Sequence, residues 1–215
     1  SYLGVLEAIR ECKNKFDLLV CRHEGGAAYM AEAYGRLTQK PGICFVTRGP
    51  GACNASIGVH TAYHEGTPLI LFVGQVPVKS LKKNAFQSID TDKFFNSMAK
   101  YTETIKDPKN IRKILEKAIY ISTKGKPGPV VLAIPEDIQF AMVSDKISEV
   151  LENKTHKIKS KIFRAYIKEL NHSNRPIIVL SGSKWKKETK KKLETFAKNN
   201  DIPFAVTFRK NDLFD

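Results

Sequence analysis

Ile43-Cys-Phe-Val-Thr-Arg-Gly-Pro-Gly-Ala-Cys-Asn54 is the stretch that decides the fold. Ile43 to Thr47 is a short continuous apolar run, the pattern of a strand buried on both faces. Arg48 to Gly51 reads as a tight turn, and Asn54 to His64 continues at helical spacing. Upstream the same order occurs again. Asp17-Leu-Leu-Val-Cys21 reads as a buried strand, and Gly25 to Leu37, rich in Ala, Glu and Met, as a helix that Pro41-Gly42 ends. Tyr2 to Lys15 predicts a further helix, with Leu3, Leu6 and Ile9 on one face.

Downstream, Leu69-Ile-Leu-Phe-Val73 and Val130-Val-Leu-Ala-Ile134 are two more buried strands, with a further strand at 100–105 between them. Asp107-Pro108 caps a helix that runs to about Thr123. Strands alternating with helices imply an α/β fold, a parallel sheet with helices on both faces. Residues 1–142 form this domain, and the polar stretch 143–157 reads as a linker. From 158 to 215 the pattern restarts: helix 160–170, strand 176–180, Lys-rich helix 186–199, strand 203–207. That is the start of a second α/β domain. The absence of an initiator Met and the abrupt last residues lead us to expect a piece of a longer protein.

The chain has 215 residues, 42% hydrophobic and 27% charged, ordinary values for a globular protein. No run of 18 apolar residues is present, and the N-terminus lacks the basic region of a signal peptide. Cysteines 12, 21, 44 and 53 form no CxxC pair and read as reduced thiols of a cytoplasmic protein. The net charge of +14 is uneven: +6 over residues 1–140, and +8 over residues 141–215. The densest patch, Lys184 to Lys192, holds one aromatic, Trp185, and no nucleic-acid motif. We read it as a solvated helix face, with neither nucleic acid nor membrane as a partner.

Glu24 sits where a strand ends and a helix begins, the edge at which open α/β sheets bind ligands. Its Gly and Ala neighbours admit a flat ligand, and a carboxylate there can hydrogen-bond a heterocycle nitrogen. A helix-start Glu favoured by the macrodipole would look the same. Residues 47–54 hold the equivalent place one strand later, but fit neither GxGxxG nor a Walker loop. His60 and His64 lie four apart without a third ligand and read as a plain helix pair, and no GxSxG elbow is present.

Taken together, Arg22 to Arg36 and Gly42 to Asn54 resemble the pyrimidine-binding domain of thiamine-diphosphate enzymes, most closely the acetolactate synthase-like branch. Thr67-Pro68, Gly74-Gln-Val76, Ala85-Phe-Gln87 and Gly125-Lys-Pro-Gly-Pro-Val-Val131 fit in order, and residues 160–215 look like the start of that family's central domain. Family members carry a strand, a helix and a strand ahead of the position of Ser1.

The resemblance implies thiamine diphosphate as cofactor and a 2-oxoacid as substrate. Carbon–carbon bonds would be made or broken through a carbanion at the thiazolium C2, in branched-chain amino acid biosynthesis if the chain is a true acetolactate synthase. It implies Glu24 as the catalytic carboxylate on the aminopyrimidine; in a dry pocket, burial would raise its pKa and hold the proton there. Thr47, Pro50, Gly51, Asn54 and Gln87 would contact the cofactor. Phe86 would wall the substrate pocket, with Gln87 near the reacting carbon. Mg2+ would bind with the diphosphate in a third domain, so no metal site is expected within these residues. Lys126 stands where acetolactate synthases place an Arg against FAD. It cannot reproduce Arg's planar fork, Ser88 replaces a Glu, and Glu136 replaces a frequent Lys. FAD and acetolactate specificity therefore stay open, as do other 2-oxoacid decarboxylases and carboligases or a non-catalytic cofactor-binding relative. The family's active site lies between subunits, which implies a homodimer or homotetramer.

Overall fold

The computed structural model of the chain describes residues 2–12, 15–143, 158–182, 185–211 and 213. It falls into two units, 1–152 and 153–215. The linker expected at 143–157 lies outside the described residues, apart from Val143.

The first unit runs α1 (Leu3–Glu11), α2 (Glu24–Thr38), β1 (Gly42–Val46), α3 (Gly49–Glu65), β2 (Leu69–Gln75), α4 (Thr91–Phe95), β3 (Tyr101–Thr104), α5 (Ile111–Thr123), β4 (Pro129–Pro135) and α6 (Glu136–Gln139). The four strands are parallel, in the order β1-β2-β4-β3. The longest apolar runs take the middle, where every residue of β2 and β4 is buried. Successive side chains go to opposite faces. Leu69, Leu71 and Val73 pack with Ala28 and Ala31 of α2 and Ala52, Ala55 and Val59 of α3. Ile70 and Phe72 pack with Ile114 and Ala118 of α5 and with Ile138. The sheet is thus covered on both faces, as the alternation of elements predicts.

Three expectations are corrected. Residues 17–21 form no strand, and Leu19 and Val20 are 72% and 89% exposed. An apolar run forms a buried strand only with a ladder partner and cover on both faces, and the described residues supply neither. β1 is an edge strand that buries only alternate residues, leaving Ile43 exposed. The turn expected at 48–51 is the first turn of α3, which starts at Gly49 with Pro50 in its first two positions. Proline costs nothing there, because the first N–H groups of a helix lack intrahelical acceptors.

The second unit contains α7 (Ser160–His172), β5 (Ile178–Leu180), α8 (Lys187–Asn199) and β6 (Phe204–Val206). β5 and β6 pair in parallel. Ala197 is the one buried residue of α8. Lys187, Lys191, Lys192 and Lys198 stand in solvent, as a solvated face requires.

Candidate active site

Parallel strands deliver the segments that follow them to one edge of the sheet. Here the exits of β1, β2 and β4 converge. Glu24 opens α2, behind a His23 cap whose Nδ1 accepts the Gly25 N–H at 3.1 Å. Asn54, in the second turn of α3, donates its amide to Glu24 Oε2 at 3.1 Å. Gly51 makes the approach feasible. A Cβ there would lie 3.1 Å from Val46 Cβ, 3.2 Å from Thr47 Cγ2 and 3.5 Å from Glu24 Oε1. Gly26, two residues after Glu24, has nothing within 4 Å of where its Cβ would stand. Glu24, Thr47, Gly51 and Asn54 are therefore brought together, with Pro50 exposed on the same helix start.

Glu24 is part-buried here, not enclosed in the dry pocket that the resemblance implies. The Asn54 amide, then its own backbone N–H, hold the Glu24 carboxyl below its usual value of 4.5, and the electrostatic influence of His23 adds to this. Burial pulls the other way and loses, because the carboxylate is only part-buried. Glu24 is an ionised acceptor at neutral pH rather than a proton store. A depressed pKa stabilises the fold above the unfolded pKa, and that contribution disappears as pH falls through the folded value. In Asn54→Ala we expect the Glu24 titration, followed by carboxyl-carbon NMR, to move up toward 4.5. The variant should then lose less stability than the parent on acidification. An unmoved titration would show that the amide does not set it.

The segment after β2 reaches the same edge. Gly49 N–H donates to Gln87 O at 2.8 Å, so the first amide of α3 fixes the loop that carries Phe86 and Gln87. Both side chains are exposed, Phe86 at 78%. Gln87 adopts a φ of 59°, a left-handed conformation that non-glycine residues rarely take. Lys126 lies elsewhere. Its Nζ donates to His64 O at 3.4 Å, at the C-terminal end of α3, which has 17 residues. At a helical rise of about 1.5 Å per residue, His64 stands about 15 Å along α3 from Asn54.

The His60 and His64 rings lie 4.4 Å apart between centroids, tilted by 54°. Among the described residues no three His, Cys, Asp or Glu side chains cluster to hold a metal. All four cysteines are free, and burial pushes the Cys44 thiol up to about 11, the state of a small hydrophobe. No helix among the described residues is long and apolar enough to cross a membrane.

Sequence reasoning missed two contributors. Arg48 forms an ion pair with Glu136 at 2.6 Å. Gln75, 1% exposed at the end of β2, donates to Ile89 O at 2.8 Å. The available signals were a polar residue closing an apolar run and opposite charges just past two strand ends.

The family model for the thiamine pyrophosphate enzyme, N-terminal TPP binding domain, matches residues 1–94, which include Glu24, Asn54 and the Phe86–Gln87 loop. The chain belongs to the thiamine-diphosphate enzymes, in their acetolactate synthase-like branch. An acetolactate synthase of Bacillus subtilis is 31% identical over 194 residues, 90% of this chain and 34% of that protein. The mitochondrial acetolactate synthase of Schizosaccharomyces pombe is 33% identical over 177 residues, 76% of this chain and 26% of its own length. The acetolactate synthase large subunit of Lactococcus lactis is 35% identical over 169 residues, with 76% and 29% covered. The chain thus spans about a third or less of the curated relatives it matches. The fold, a four-stranded parallel sheet flanked by helices, is that expected of the pyrimidine-binding domain.

Proposed function

We propose that residues 1–142 hold the pyrimidine half of a thiamine-diphosphate site, with 158–215 opening a central domain. The whole protein would be an acetolactate synthase-like carboligase acting on 2-oxoacids. One observation carries this reading: a carboxylate at the ligand-binding edge of a parallel sheet, oriented by the Asn54 amide and flanked by two glycines.

The residues fit the cofactor. Open space at Gly26 and the bare Cα of Gly51 leave room for a flat ring beside Glu24. An ionised carboxylate is the acceptor that a protonated ring nitrogen needs. When bound, thiamine diphosphate supplies a stabilised carbanion that no side chain provides. The protein's own part is positional. Asn54 orients Glu24, which holds a proton at the ring nitrogen. Thr47, Pro50 and Gly51 pack beside the ring. Phe86 offers an apolar wall and Gln87 a polar contact to the substrate. Lys126 is the residue offered to FAD, though its ammonium already serves the His64 carbonyl and lacks Arg's fork.

We propose further that Mg2+ and the diphosphate are held by other parts of the protein, and that a homodimer or homotetramer completes the site. The four free thiols favour the cytoplasm, although one of the cited relatives is mitochondrial by name. Solvated lysines, rather than a nucleic-acid or membrane surface, account for the charge of +14.

The test is turnover of pyruvate by the whole protein with thiamine diphosphate and Mg2+. Acetolactate is the expected product. Decarboxylation without acetolactate would move the protein to another branch of the superfamily. If neither 2-oxoacid consumption nor cofactor binding is seen, the proposal falls.

A further inference from the structure

We propose that Arg48 and Glu136 form a clasp across the end of β2 that positions the Phe86–Gln87 loop. Calling that loop part of the active site rests on the function proposed above; the clasp itself rests on geometry. Arg48 follows β1 by two residues, and Glu136 follows β4 directly. Between them in the sheet lies β2, so the pair reaches over two strand spacings, roughly 10 Å, and crosses the point where β2 releases its exit segment. The Arg48 guanidinium binds Glu136 Oε1 at 2.6 Å and also points an N–H at Phe86 O, at 3.4 Å.

The rest of that segment is pinned from the same two sides. Asp137 takes the Val78 N–H with both oxygens at 3.1 Å, and Gln75 holds Ile89 O. Gly49 N–H holds Gln87 O. Within the pinned span, Lys82, Asn84 and Gln87 all have positive φ, of 62°, 49° and 59°. Three non-glycine residues in that region persist only when their surroundings over-determine them. Arg48 is the side chain that couples the β1 exit, the β4 exit and the Phe86 carbonyl. Its exposure of 20%, against 36% for Glu136, shields the pair partly from water and salt. The Glu136 that departs from the family pattern is thus matched by an Arg within reach.

Removing the clasp should release the loop locally while the core stays folded. The experiment compares Arg48→Glu, Glu136→Arg, the swapped double variant and Arg48→Lys in the whole protein. Chymotryptic cleavage after the exposed Phe86 reads loop release, and cleavage after the fully buried Phe95 reads unfolding. We expect Phe86 cleavage to rise about tenfold in each single reversal and to return near the parental rate in the double, since a charge pair shows coupling in such a cycle. Arg48→Lys, which keeps the charge, should fall between. In the same variants kcat/KM for pyruvate should fall and recover in step, while half-saturation by thiamine diphosphate stays put. Parental Phe86 cleavage in the single reversals, or no recovery in the double, would overturn the clasp. So would a parallel loss of cofactor affinity, which would mean that the pair supports the whole site. Should a reversal also expose Phe95, Arg48→Lys decides: parental loop cleavage there overturns the clasp. A parent that consumes no 2-oxoacid sinks the functional reading alone, because the cleavage arm needs no turnover.

Discussion

Glu24→Gln in the whole protein should lower kcat by about 10²- to 10⁴-fold, the range that a positioned acid–base group contributes. Shape is conserved by the substitution. The Gln carbonyl can still accept the Asn54 amide, which now meets Glu24 Oε2 at 3.1 Å, and the Gly51 contact is unaltered. What disappears is the capacity to hold a proton at the ring nitrogen. Circular dichroism and thermal midpoint should match the parent, which separates lost chemistry from lost structure. Stability should if anything lose its acid dependence, because the depressed Glu24 pKa is one of the terms that weaken the fold as pH falls. A variant within threefold of parental kcat would remove Glu24 from the catalytic role, whatever the resemblance implies.

The sequence was most legible where one chemical preference acts alone. The runs 69–73 and 130–134 became the fully buried β2 and β4, because continuous apolar strands satisfy themselves only between two helical layers. Thr47, Gly51 and Asn54 stand at the exit of β1, and Glu24 joins them from the start of α2 through the Asn54 amide. Residues 17–21 failed for the complementary reason. Composition says that a run favours burial, but a strand also needs a neighbour, and the described residues present none. The lowered pKa of Glu24 is not legible in the sequence, because a pKa depends on which donor wins. The Asn54 amide comes from a residue 30 positions away, and no spacing rule encodes that contact. Arg48 and Glu136 are 88 positions apart, and only the sheet order places them on either side of β2.

The same close packing sets the second large effect, Gly42→Ala. Gly42 opens β1, and its N–H donates to Pro68 O at 3.1 Å. A Cβ built on it would collide with the carbonyl of Ala31, in the interior of α2. The obstacle is helical backbone, which cannot swing aside as a flexible side chain would. Neighbouring contacts are as tight: a Cβ on Gly35 would meet Pro68 O, and one on Gly58 would come 2.5 Å from Ala28 Cβ. The α2–β1 approach therefore has little slack to give. Overpacking of this kind costs about 1–3 kcal/mol, and a rigid obstacle puts Gly42→Ala at the upper end. The stiffer unfolded chain returns only about 0.4–1 kcal/mol. We expect a net loss of about 2 kcal/mol, which at a urea slope of about 1–3 kcal/mol/M moves the midpoint down by about 0.7–2 M. Gly26→Ala is the matched control. It makes the same change near the start of α2, with nothing within 4 Å of the new methyl. There the helix propensity gain of up to about 1 kcal/mol should stand alone and raise the midpoint. Opposite signs for one chemical change at two sites would tie the stability of the sheet to backbone contact at β1. If the two midpoints shift together, the methyl at Gly42 finds room and the close approach of α2 does not limit the fold.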